Sequence, residues 1–325
     1  MGRKQPENLV MVLTGATSGI GRATALRFAR EGGRLVLAAR SLRDLQEVAA
    51  LCQKRGGSVH VVQADVAREE EVRRLAEEAV RRFGRIDVWV NNAAVIAFGN
   101  FMAIPPEDFR RVIEVNLFGY IYGARQAIRQ FRQQGYGTLI NIASVAGVVG
   151  QPFAAPYSIS KFGVRGLSNS LEQELKAEEH IKVCTILPST VDTPIYEHGA
   201  NYTGKKIQPP VAVTSAREVA KAIIRVSKNP EKRVYVGSST TLMRLGRLVI
   251  PEFFDKLTYY MTIIREFEED GVPRSAGNLY RPSPESASIS GGWMKKKRKR
   301  KKILQTLVGS ALLVGLSCYL RKKIT

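Results

Sequence analysis

Tyr157 and Lys161 stand four residues apart in AAPYSISKFGVRGLSNSLEQEL, so on a helix both side chains share one face. A phenol with a reference pKa of about 10 is a poor base at neutral pH, but a neighbouring ammonium and a cationic nicotinamide would stabilise the phenolate and lower that value. Ser144, thirteen residues earlier at the end of an apolar run, is placed to hydrogen-bond and orient a substrate oxygen. Such a trio supports proton transfer to or from a carbonyl or alcohol oxygen. The spacing alone selects little: Tyr202 with Lys206 and Tyr319 with Lys323 repeat it, and Ser189 also stands thirteen residues before Tyr202. Context separates them. Only Tyr157 opens a long helical pattern after a strand pattern, whereas Tyr202 lies in YTGKK and Tyr319 beside an apolar tail.

A second group of residues could hold an anion. TGATSGIG, residues 14–21, joins the first strand pattern to the first helix pattern. Gly15, Gly19 and Gly21 let the backbone turn sharply, approach a pyrophosphate and pack the helix on a sheet, with the anion at the helix N-terminus. The second strand pattern ends in Ala39-Arg40, where an NAD-binding unit places Asp or Glu for the adenosine ribose hydroxyls. Arg40 can pair with a 2′-phosphate instead, favouring NADP(H) over NAD(H); the alternative is a solvated strand-end residue. Asp65, at the end of the third strand pattern, can accept from an adenine amino group or cap the next helix.

These groups need a scaffold that brings strand ends together. Seven apolar or β-branched runs begin near residues 9, 34, 59, 86, 138, 181 and 233. Helical patterns at 20–30, 42–55, 69–83, 106–134, 155–178 and 216–228 alternate with them. Continuous apolar runs suit strands buried on both faces by crossover helices. The expected fold is α/β, a Rossmann-type doubly wound, seven-stranded parallel sheet spanning residues 8–240, with its site beyond the strand carboxyl ends. A helical extension is expected over 241–272, a Pro/Ser/Gly-rich flexible linker over 273–294, a polybasic segment at 295–302 and a terminal apolar helix at 303–320.

TGATSGIG, NNAA at 91–94, Asn116 in VNLFG, Ser144 and YSISK together resemble the classical short-chain dehydrogenase/reductase family, over roughly residues 8–238. The resemblance implies a hydride transfer between nicotinamide and a ketone or secondary alcohol. It makes Tyr157 the acid/base, Lys161 the ligand of the nicotinamide ribose, Ser144 the substrate-positioning group and Asn116 the holder of a relay water. By the same resemblance the cofactor contacts are Thr14, Gly15, Ser18, Gly19, Ile20, Gly21, Arg40, Asp65, Val66, Asn92, Ala93, Tyr157, Lys161, Pro188, Val191 and Thr193, while Asn91 helps to hold the sheet. The chain departs from the family at Ala94, where NNAG is usual, and at Ser189, where a glycine follows the proline. Val95, Ile96, Phe98, Val145, Ala146, Val191 and residues 194–210 are placed to line the substrate side, which suits a hydrophobic carbonyl or alcohol. The resemblance also implies homodimers or homotetramers. The different-class alternative is a catalytically silent dinucleotide-binding scaffold, against which the intact tetrad argues.

Composition bounds the rest. A 325-residue chain with 44% hydrophobic residues can bury a large core. Its net charge of +21 is uneven, because eleven of the 50 basic residues and none of the 29 acidic ones lie in 295–325; nucleic-acid binding is not expected. Cys52, Cys184 and Cys318 form no CxxC pair, and His60, His180 and His198 are scattered, so no metal is expected. The apolar stretch 303–320 would span about 27 Å as a helix, close to a hydrocarbon core of about 30 Å. With eight basic residues before it and three after, it reads as a single-pass C-terminal membrane anchor that contacts lipid and leaves the catalytic domain facing the cytoplasm. A surface-lying or buried terminal helix is the alternative.

Overall fold

Each of the seven apolar runs becomes a strand: β1 (Val10–Thr14), β2 (Arg34–Ala39), β3 (Ser58–Gln63), β4 (Val88–Asn91), β5 (Gly137–Ile142), β6 (Ile181–Pro188) and β7 (Arg233–Val236). They come from a computed structural model that describes residues 9–209, 213–237, 259, 267–283 and 287–294. The strands form one parallel sheet in the order β7-β6-β5-β4-β1-β2-β3. The chain order reverses between β1 and β4, which opens a crevice at their carboxyl ends.

Helices α1 (Gly19–Arg30), α2 (Leu42–Gln53), α3 (Glu69–Phe83), α4 (Pro106–Ile113), α5 (Gly119–Gln134), α6 (Ala155–Glu174) and α7 (Ala216–Lys228) cover both faces. Alternation along β1 shows the two layers: Met11 and Leu13 pack with Phe28, Val219 and Ile223, whereas Val12 packs in the layer of Leu75, Ala79 and Phe131. Each of these apart from Ala79 contributes about 1.5–3 kcal/mol by leaving water. Local signals fix the helix starts. Ser41 Oγ accepts the Asp44 N–H before α2, and Ser215 forms a reciprocal capping box with Glu218 before α7. The expected single helix over 106–134 is divided by a π-helical turn, Glu114–Phe118, that carries Asn116. Such turns concentrate at functional sites.

Three short pairings extend the carboxyl rim. Ala97–Phe98 pairs with Ala200–Asn201, Val191–Asp192 with Thr214–Ser215, and Lys205–Ile207 runs antiparallel to Phe267–Gly271. The last is a strand within the stretch read as a helical extension; apart from Tyr259, residues 241–266 lie outside the described residues.

The membrane reading is corrected. No described helix is long and apolar enough to cross a membrane. The longest, α6, keeps polar residues such as Asn169, Glu172 and Glu174 along its length, which suits one face on a sheet and one in water. The expected terminal helix at 303–320 and the polybasic segment at 295–302 lie outside the described residues. No described helix supports the single-pass anchor, the lipid contact or the orientation toward the cytoplasm. The chain divides into two units, Met1–Gly291 and Gly292–Thr325, and only 292–294 of the second are described.

Candidate active site

The glycine-rich turn is built so that only glycine fits. Gly15 and Gly19 have φ of +65° and +53°, a region that side chains with a Cβ rarely adopt. A Cβ on Gly21 would lie 2.0 Å from the Gly15 carbonyl oxygen. Thr14 and Asn92 lock this turn to the end of β4: Thr14 Oγ1 accepts the Asn92 N–H at 3.0 Å, and Asn92 Nδ2 donates to Thr14 O at 2.9 Å and Gly15 O at 3.1 Å. Asn91 ties the sheet together, as expected. Its Oδ1 accepts from Trp89 Nε1, and its Nδ2 donates to Asn141 Oδ1, which lies on β5.

A cavity of about 260 Å³ runs from this turn, past the ends of β2 and β3, to the end of β5. Among the expected residues, Gly15, Ser18, Gly19, Ile20, Arg40, Asp65, Val66, Asn92, Ala93, Pro188, Val191 and Thr193 line it, together with Ser144, Tyr157 and Lys161. Thr14, Gly21 and Asn116 do not, and each instead supports a lining segment from behind. The positive-φ turn, the helix N-terminus facing the cavity and the absence of side chains at 15, 19 and 21 fit a dinucleotide pyrophosphate.

At the far end, Ser144 caps the short turn Val145–Gly147 and hydrogen-bonds the Tyr157 hydroxyl. Tyr157 is in the first turn of α6, and Lys161 follows one turn later with Nζ 5.6 Å from the Tyr157 ring centre. Lys161 Nζ donates to Ile142 O at 2.8 Å and to the Tyr120 hydroxyl at 3.3 Å. Burial pushes the Tyr157 phenol up to about 12, against the pull of the Ser144 hydrogen bond, and pulls Lys161 down to about 7. A lysine only partly charged at neutral pH stabilises a phenolate less than a full cation does. The Asn116 amide is engaged with the Val95 backbone, Oδ1 accepting N–H and Nδ2 donating to C=O at 2.8 Å each, and with Ser160 Oγ.

At the adenosine end, Asp65 Oδ1 accepts the Ala67 N–H at 3.0 Å and Oδ2 pairs with Arg111. Arg40 donates through Nη1 to Leu279 O at 2.8 Å and through Nη2 to Asn278 O at 2.6 Å. On the substrate side, Val95, Ile96, Val145, Ala146, Ile195 and Tyr196 line the cavity, joined by Gln151 and His198, while Phe98 lies behind, stacked on Tyr196 at 5.9 Å. Ser189 turns its hydroxyl to Thr214 at 2.8 Å. Sequence reasoning missed Gln151 and the wall formed by Asn278, Pro282, Ser283 and Ala287, and also Arg111, which pairs with Asp65. The carbonyls of Asn278, Leu279 and Ala287 fasten this segment to Arg40 and Arg22, and carbonyls leave no mark in residue types.

The model of the short chain dehydrogenase family matches residues 9–201, from the start of β1 through the pairing of Ala200–Asn201. The chain belongs to the short-chain dehydrogenase family. The membrane-anchored qualifier does not accompany that assignment. This short-chain dehydrogenase is 33% identical to the uncharacterised oxidoreductase YxnA of Bacillus subtilis, over 98% of this chain and 92% of that one. It is also 33% identical to the 3-oxoacyl-[acyl-carrier-protein] reductase FabG of Thermotoga maritima, over 59% of this chain and 77% of that one. Among solved structures, an alcohol dehydrogenase from the archaeon Thermococcus sibiricus, complexed with 5-hydroxy-NADP, superposes with a TM-score of 0.63 at 28% identity, covering 71% of this chain and 97% of that one. The short-chain dehydrogenase described here is an NAD(P)-dependent oxidoreductase acting on CH–OH/C=O groups.

Proposed function

We propose that the enzyme prefers NADP(H) and exchanges hydride with an apolar ketone or secondary alcohol, with Tyr157 moving the proton. The observation that carries this reading is the Ser144–Tyr157–Lys161 arrangement at one end of a cavity whose other end is the glycine turn. Gly15, Ser18, Gly19 and Ile20 line the groove where the pyrophosphate would lie, and Lys161 would hold the nicotinamide ribose. When bound, the dinucleotide supplies or takes the hydride.

The chain's own groups do the rest. Ser144 fixes the substrate oxygen beside the Tyr157 hydroxyl. The phenol, protonated at neutral pH and lifted further by burial to about 12, gives its proton to the oxygen of a carbonyl being reduced. Val95, Ile96, Val145 and Ile195 exclude water and favour an apolar substituent. The NADP(H) preference is supported by Arg40 at the end of β2, with no carboxylate at that position, and by the NADP derivative bound in the archaeal relative. Two of its five N–H donors meet carbonyls, which leaves three for a 2′-phosphate.

Fluorescence titration with NADPH and NADH tests the reading. Tighter NADPH binding is expected, with the ratio of the two affinities falling by about tenfold or more in Arg40→Ala. Equal affinities for both cofactors would overturn the preference, and no binding of either would overturn the site.

A further inference from the structure

Among the described residues, no carboxylate pairs with the buried Lys161 ammonium. A closed triangle of hydrogen bonds holds it instead. Lys161 Nζ donates to Ile142 O at 2.8 Å and to Tyr120 Oη at 3.3 Å, and Tyr120 Oη itself donates to Ile142 O at 3.1 Å. The same nitrogen stands 4.9 Å from the centre of the Tyr120 ring and 5.6 Å from that of Tyr157. A cation over a tyrosine ring is attracted by its negative face, and more strongly where water is excluded.

Tyr120 reaches this place from the first turn of α5. The π-helical turn Glu114–Phe118 lies directly before that helix, and a π-turn takes in one residue more than an α-turn, so α5 starts out of phase with α4. The buried Tyr120 ring packs with Ala143, Val164 and Leu187. Burial first, and Tyr157 second, hold its phenol well above the ordinary value. At neutral pH it is therefore an uncharged hydroxyl, able to accept from Lys161 while donating to Ile142 O. Tyr120 does not line the cavity, so any part it takes in the reaction passes through Lys161.

We propose that Tyr120 is a positioning residue of the reaction, which holds the Lys161 ammonium between the end of β5 and the Tyr157 ring. The inference rests on the reading of Lys161 given above. An ammonium has three N–H donors. The triangle takes two of them and leaves one for the nicotinamide ribose, on a lysine whose four-carbon stem is otherwise flexible. The Tyr120 ring also favours the charged lysine, in opposition to burial, which pulls Lys161 down to about 7. Loss of the hydroxyl should loosen the lysine, and loss of the ring should also deprive it of charge.

Full-length wild type, Tyr120→Phe and Tyr120→Leu are compared with the same chains carrying Lys161→Met in addition. NADPH affinity is measured by fluorescence, and kcat and KM with the apolar ketone that the wild type reduces fastest. With Lys161 present, Tyr120→Phe is expected to weaken NADPH binding about threefold and to lower kcat about tenfold, with the ketone KM unchanged. Tyr120→Leu should lose more of both. With Lys161→Met, neither Tyr120 substitution should change affinity or kcat by more than about twofold, because the residue through which Tyr120 acts is gone. Equal losses in the two backgrounds would overturn the proposal by showing that Tyr120 only fills space, and would leave the role of Lys161 standing. Wild-type affinity and kcat in both Tyr120 variants would overturn it as well. If one Tyr120 variant fails to fold, the comparison with the other decides, and the NADPH affinities decide alone if no ketone is turned over. Wild-type NADPH affinity and turnover in Lys161→Met would overturn the reading of Lys161 itself, and the proposal with it.

Discussion

Lys161 Nζ stands 5.6 Å from the centre of the Tyr157 ring, yet gives its 2.8 Å hydrogen bond to the carbonyl of Ile142 at the end of β5. The lysine is therefore anchored to the sheet, and one turn of α6 sets its distance from the phenol. Both groups are buried, and burial works against both charges, raising Tyr157 to about 12 and lowering Lys161 to about 7.

The two reaction directions should respond differently to pH. Carbonyl reduction needs the protonated phenol, which dominates throughout the neutral range. Alcohol oxidation needs the phenolate, whose fraction grows about tenfold per pH unit below the pKa. The kcat/KM for oxidation is expected to climb steadily from pH 7 to pH 9 while that for reduction stays level. Paired pH–rate profiles check this, and an oxidation profile already flat at pH 7 would contradict it.

Lys161→Met should stabilise the protein and disable it. Between about 7 and the ordinary 10.5, the unfolded chain keeps a proton that the folded chain has lost, so the Lys161 contribution to wild-type stability rises with pH across that window. The variant lacks that contribution. Its stability advantage in urea unfolding is expected to be largest near pH 7 and to shrink toward pH 10, while turnover falls by about 10²-fold or more. A pH-independent advantage would show that Lys161 does not titrate in this window.

Two glycine replacements should behave oppositely. Gly21→Ala puts a Cβ 2.0 Å from the Gly15 carbonyl oxygen, which forces the turn open; a loss of about 1–3 kcal/mol and a large fall in NADPH affinity are expected. Gly166→Ala, within α6 and with nothing within 4 Å of the new Cβ, should add about 0.5–1 kcal/mol and leave NADPH binding unchanged. Urea midpoints and NADPH titrations of both variants measure the contrast.

What could be read from the sequence was carried by side-chain periodicity and by residues whose chemistry depends on local context. The seven apolar runs gave the sheet because a buried parallel strand has no polar face to hide its pattern. Tyr157 stood out from Tyr202 because a helix follows it directly. Tyr202 instead donates to buried Asp108. The π-turn at Asn116 left no signal, since Glu114–Phe118 continues the helical pattern on either side. Asp65 could be placed at a strand end but not against Arg111, which arrives from α4, 46 residues away. The C-terminal wall was illegible for a different reason. A Pro/Ser/Gly-rich stretch has no apolar period, and Asn278, Leu279, Ala287 and Ser288 act through carbonyl oxygens that every residue possesses. The apolar run at 303–320 matches a bilayer in length, while Gln305, Thr306, Ser310 and Ser317 dilute it, which is why a surface-lying or buried helix stands beside the anchor as the alternative.

Tyr157 as the proton donor is tested most directly by NADPH oxidation against a panel of apolar ketones, using wild type and Tyr157→Phe with NADPH binding measured in parallel. The Phe variant is expected to bind NADPH as the wild type does and to lose turnover by about 10²–10⁴-fold. Wild-type turnover in Tyr157→Phe would contradict the assignment of Tyr157 as the proton donor.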